Sequence, residues 1–126
     1  MFKIISMQAE DGSQIDVPFL ANAATSYRYK TMFKQDLLVL FQTFEHNGTY
    51  DIDFVEQLAY IMAMQAKAKT GEIDLTTINV DSMVSWLEQF GSFAIYNKAQ
   101  EILSVYLDNT TITSSEKKKA RKQTAN

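Results

Sequence analysis

The chain has 126 residues, 46% of them hydrophobic, and no cysteine. That length and apolar content suit one compact domain with its own core, and the lack of thiols excludes disulfides, thiolate nucleophiles and zinc–thiolate sites. The formal charge of −3 is unevenly spread: residues 1–115 hold 7 Lys/Arg and 14 Asp/Glu, net −7, whereas residues 116–126 hold 5 Lys/Arg and 1 Glu, net +4. An acidic body repels phosphate, so nucleic-acid binding would rest on the basic end alone.

The start has strand character. In FKIISMQ, Phe2, Ile4 and the Ser and Met positions alternate imperfectly, while SQIDVPFL sets Ile15, Val17 and Phe19 against polar neighbours. EDGS at residues 10–13 supplies a turn, so the two runs predict a β-hairpin, with Pro18 on a free edge because it has no amide donor. Asn22 is a plausible cap for a first helix, which places Ala23 and Tyr27 on one face and Tyr29 and Phe33 on another. Asp36 caps the next run, LLVLFQTFEHNG, where Leu37, Leu40, Phe41 and Phe44 follow helical spacing and Gly48 ends it.

Asp53, with Glu56 three residues on, makes a capping-box-like start for a third helix that Gly71 closes. Its middle, LAYIMAM, is apolar on every side, which implies either burial all round or a second face given to a partner. On the second alternative, Tyr60 and Met64 form the exposed binding side, opposite Leu58 and Met62. A loop through EIDLTTINV leads to Asp81 as the expected cap of a fourth helix with Met83/Val84, Leu87 and Phe90 as its stripe, ended by Gly91. Ser92 would cap a fifth, striped by Ile95, Ala99, Ile102, Leu103 and Tyr106. From Asn109 the composition turns to Thr, Ser, Lys and Gln, which cannot repay the entropy of ordering. The expected fold is α+β, mainly α: one domain over residues 1–109, with the hairpin at about 2–20 and about five helices at about 23–107, then a flexible basic tail over 110–126.

No constellation for catalysis, metal or cofactor emerges. The single His46 stands beside Glu45 and near Asp51, but further ligands at metal spacing are missing. The DID at residues 51–53 lacks the central Gly and the terminal Glu of a calcium loop. Four dispersed glycines form no phosphate cradle. Glu72 and Asp74 read as solvent contacts rather than an acid–base pair. No run approaches the roughly 18 apolar residues that span a bilayer, and MFKIISMQAEDG lacks the form of an export signal, which predicts a cytoplasmic chain without membrane contact. What remains is Tyr, Trp and Met content suited to protein binding.

Three stretches in order, ANAATSYRYKTMFKQDLL (21–38), EQLAYIMAMQAK (56–67) and SWLEQF (85–90), resemble the tail assembly chaperones of long-tailed phages and prophages of Gram-positive bacteria. The matching positions are Tyr29, Lys30, Phe33, Asp36 and Leu37, then Leu58 through Ala63, then Trp86, Leu87 and Phe90. Lys34-Gln35 departs from the Gly-Lys turn expected before Asp36. The resemblance implies a non-enzymatic protein of the host cytoplasm, absent from the mature virion. It would hold the aggregation-prone tape measure protein while tail tube protein assembles around it, through self-association into multimers. The family often makes a longer product by ribosomal slippage, and Lys117, Lys118 and Lys119 demand a run of A-rich codons that could serve as the slippery site. Alternatives are a small nucleic-acid-binding regulator that uses the basic tail as an arm, and a structural component of the tail.

Overall fold

The computed structural model describes the backbone of residues 1–47 and 51–111, and their side chains except at 44–47 and 109–111. The architecture is the expected α+β, mainly α. An antiparallel hairpin, β1 (Phe2–Gln8) and β2 (Gln14–Leu20), precedes six α-helices among the described residues: α1 (Ala24–Phe33), α2 (Leu37–Asn47), α3 (Ile52–Lys69), α4 (Val80–Leu87), α5 (Ala94–Asn97) and α6 (Ala99–Thr111), with a 3-10 turn at Leu75–Thr77 between α3 and α4.

The hairpin loop follows from Gly12. Its φ of 90° is open to glycine at little cost, and it donates to Ala9 O at 3.0 Å while Ala9 N–H donates to Ser13 O at 2.7 Å. This is a three-residue loop whose left-handed residue sets the register. Ile5 then lies opposite Val17, and Met7 opposite Ile15. Ile5, Met7, Val17 and Phe19 are buried, whereas Phe2 and Ile4, the apolar positions expected to alternate, point outward. The register decides this, because cross-strand partners share a face and Phe2 and Ile4 pair with Leu20 and Pro18. Met1 and Ala21 exchange backbone hydrogen bonds, which makes Ile4–Pro18 a pair without hydrogen bonds. Pro18 therefore costs the ladder nothing.

The central element is α3, where Phe54, Val55 and every position from Leu58 to Ala66 are buried. It carries β2 on one side and α1, α4, α5 and α6 around the rest. An aromatic chain closes one end of this packing. Tyr29 lies 5.0 Å from Phe33 and 6.1 Å from Phe54, and Phe41 lies 5.1 Å from Phe54 and stacks on Tyr106 at 5.5 Å, which ties α1, α2, α3 and α6 together. Such pairs add about 0.5–1.5 kcal/mol each beyond the area they bury. Burial, and secondarily the Asp51 carboxylate, holds the Tyr29 phenol protonated well above its ordinary range, and its hydroxyl donates to Gln57 Oε1 at 2.6 Å.

Helix ends agree with the sequence at some positions and shift at others. Asp36 Oδ1 accepts from Leu38 N–H at 2.8 Å, as expected. Gly71, at φ 81°, closes α3 with the paired bonds of a Schellman turn, Gly71 N–H to Ala68 O and Glu72 N–H to Lys67 O. Asn22 Oδ1 accepts from Ala24 N–H, so it caps α1 one residue before the formal cap. The start of α3 moves from Asp53 to Asp51, whose backbone is extended and whose carboxylate accepts from Asp53 N–H at 3.0 Å. Glu56 then falls outside any capping box. The start of α4 moves from Asp81 to Asn79, which forms a reciprocal box with Ser82. Ser92 does not cap α5, and the expected fifth helix is two, since Lys98 N–H makes a tight bond to Ile95 O at 3.2 Å. The predicted stripe still points inward, with Ile95, Ala99, Ile102 and Leu103 buried and Tyr106 partly so. The last helix runs to Thr111, two residues into the tail expected over 110–126, and Gly48 and residues 112–126 lie outside the described residues.

Two positions explain departures from helical continuity. The fourth helix stops at Leu87, short of Phe90, because residues 89–91 turn to β1: Glu10 N–H donates to Gln89 O at 2.9 Å and Gly91 N–H to Gln8 O at 3.1 Å. A Cβ on Gly91 would stand 3.3 Å from Gln8 Oε1 and 3.5 Å from Ala9 O, so a larger residue here would require only that the Gln8 side chain give way slightly. Lys34, which replaces the expected glycine after α1, is left-handed at φ 61° and donates to Lys30 O at 2.8 Å. That conformation costs a side-chain-bearing residue roughly 1–2 kcal/mol, part of which glycine returns through unfolded-state entropy. Lys34→Gly is expected to raise stability by roughly 0.5–1 kcal/mol, read as a higher urea midpoint. A lower midpoint would mean that the lysine stem packs well enough to outweigh the strain.

Candidate functional site

Tyr60 and Met64, expected on an outward face, are 1% and 6% exposed. The correction follows from α3 being enclosed by the hairpin and four helices: a helix apolar on every side is here buried on every side. The Tyr60 hydroxyl lies 2.7 Å from Ser82 Oγ, and its ring lies 5.7 Å from that of Trp86, which in turn packs edge-on against Phe90 at 4.9 Å. Trp86 and Phe90 are the buried residues of this region, whereas Val84, expected on the inner stripe, is exposed.

The two residues nevertheless contribute atoms to a groove. It has a volume of about 300 Å3, and Tyr60, Met64, Ile73, Ile78 and Trp86 form its apolar wall. A second groove of about 390 Å3 runs between α1 and the stretch leading into α4, walled by Tyr27, Met32, Leu75, Ile78 and Val80. Ile78 belongs to both, so the grooves adjoin along the segment between α3 and α4. That segment is fixed at its ends by local bonds. Asp74 Oδ1 accepts from Thr76 N–H and Oγ1, both at 2.9 Å, and these bonds, the backbone one first, hold its carboxyl below its ordinary range. Thr70 donates to Glu72 at 2.9 Å. Glu72 and Asp74 are thus occupied in holding turns, not facing one another across a pocket.

Each groove has one charged residue in its lining, and both are cations: Arg28 in the larger, Lys67 in the smaller. Neither enters an ion pair among the described residues, and Arg28 Nε is buried without a hydrogen-bond partner. Sequence reasoning missed Arg28, Lys67 and Ile78. Tyr27 carries the one available signal, since it stands two residues from the buried Tyr29 and must face the other way on a helix; it is 73% exposed.

Acidic groups gather instead near the start of α3, where burial first, then Asp53 and Asp51, raises the Glu56 carboxyl above its ordinary range. Among the described residues no group of three or more His, Cys, Asp or Glu is placed to hold a metal ion. The His46 side chain lies outside them, as do Lys117, Lys118 and Lys119. No described helix is long and apolar enough to cross a membrane. Set against family models, curated proteins and solved structures, the chain has no significant match in any of the three comparisons.

Proposed function

We propose that the protein is a tail assembly chaperone of a long-tailed phage or prophage, which binds the tape measure protein and keeps it soluble during tail assembly. The observation that carries the reading is the pair of adjoining grooves, whose linings include Tyr27, Met32, Met64 and Trp86 beside the polar Thr77, Ser82, Ser85 and Gln89. Methionine and aromatic walls adapt to irregular apolar partners, which is what a holder of varied helical segments requires. Exposed Phe2, Ile4, Leu38, Val39, Phe93 and Tyr96 add apolar surface beyond the grooves, available to client or to further copies of the chain. The protein acts by binding, in the host cytoplasm, as a self-associating multimer that leaves before the virion is complete.

Co-expression with the tape measure protein of the same genome tests this. The client is expected in the soluble fraction, bound to the chaperone, and in aggregates when the chaperone is withheld. Aggregation in both cases would overturn the assignment. A longer frameshifted product, should the message encode one, would be abolished by silent changes in the codons of Lys117, Lys118 and Lys119, and Glu116 onward would remain unchanged as protein.

A further inference from the structure

We propose that the two grooves beside Ile78 act together as a trough for an acidic amphipathic helix, whose apolar face fills the grooves and whose carboxylates pair with Arg28 and Lys67. The inference rests on the binding reading above and adds the chemistry of the partner. Its ground is a local inversion of charge. Acids outnumber cations two to one over residues 1–115, yet among the described residues the one charged side chain lining each groove is a cation. Both cations are free of ion pairs among the described residues.

Each feature of the trough matches one feature of such a helix. Residues at i, i+3, i+4 and i+7 form an apolar stripe that lies along adjoining grooves. Glutamates flanking the stripe reach the rim, where a guanidinium offers paired donors to a carboxylate and an ammonium offers a point charge. A lysine-flanked helix would instead bring like charge to two cations that make no ion pair among the described residues.

The test is sharp because the field of the whole chain pulls the other way. With a net charge of −3, long-range attraction favours a basic peptide; only the local cations favour an acidic one. Two synthetic helical peptides with the same Leu/Met face, one flanked by Glu and one by Lys, are titrated into the full-length protein. Trp86, the sole tryptophan, lines the smaller groove and reports occupancy by its fluorescence. The Glu peptide is expected to bind at least roughly tenfold more tightly, a difference worth about 1.4 kcal/mol. Arg28→Gln and Lys67→Gln should each reduce that preference, and the double variant Arg28→Glu/Lys67→Glu should reverse it, with circular dichroism confirming that each variant is folded. Equal binding of the two peptides, preference for the Lys peptide, or an unchanged preference in folded variants would overturn the trough. A preference for Glu with no effect on tape measure solubility would support the trough and count against the tape measure as its occupant.

Discussion

Replacing Tyr60 with alanine is expected to cost about 3–5 kcal/mol of stability, the range for deleting a buried aromatic ring. Domains of this kind hold roughly 5–15 kcal/mol in total, so the variant should be near the edge of folding. The ring is 1% exposed and tilts against Trp86 at 5.7 Å, so its removal would leave a cavity in the core. Tyr60→Phe separates the ring from the hydroxyl. Ser82 Oγ accepts from Asn79 N–H and donates to Asn79 O, both at 2.9 Å, which leaves Tyr60 as donor in their shared bond. Its loss leaves Ser82 partnered and should cost only about 1 kcal/mol. Urea melts followed by far-ultraviolet circular dichroism measure both. A loss under about 1 kcal/mol for Tyr60→Ala would mean that the ring is not part of the core. The consequence for function is practical: replacing Tyr60 and Met64 together would remove binding by unfolding the scaffold, so tests of binding belong at Arg28 and Lys67, which line the grooves without filling the core.

The order of elements was legible because its signals are local. Gly12 needs a left-handed turn, Asp36 offers a carboxylate to the amide two residues on, and Gly71 terminates a long apolar helix. Where two equivalent caps compete, local chemistry does not choose. Asp51 and Asp53, or Asn79 and Asp81, could each accept from an amide two or three residues on, and the choice falls to the packing of Ile52 and of the segment that carries Ile78. The same holds for LAYIMAM, since periodicity cannot separate a helix enclosed on every side from one with a free face. The grooves were least legible. They are built from the outer face of α1 and from an aperiodic segment, and their cations stand among polar residues that resemble any solvated surface.

Gln65 was also hidden, because a glutamine in an apolar helix reads as its exposed position, yet it is 4% exposed. Its Nε2 donates to Leu20 O at 2.8 Å and to Thr25 Oγ1 at 2.9 Å, joining the end of β2 to α1 and α3, while Oε1 has no partner among the described residues. The Leu20 carbonyl can only accept, which fixes the amide orientation. Gln65→Glu keeps the shape and sets an acceptor against that carbonyl. The buried carboxyl can restore one donor by taking up a proton, so its pKa in the folded protein should rise far above the unfolded value of about 4.3. Between those two values the unfolded chain is ionised and the folded chain is not, and stability relative to wild type should fall by about 1.4 kcal/mol per pH unit as pH rises. The penalty should be smallest below about pH 4 and reach roughly 3–4 kcal/mol at pH 7. Gln65→Met, which removes the hydrogen bonds without adding an ionisable group, should lose a pH-independent amount. Urea melts across this range distinguish the two, and a pH-independent difference between Gln65→Glu and wild type would place the side chain in contact with solvent, which the enclosure of α3 forbids.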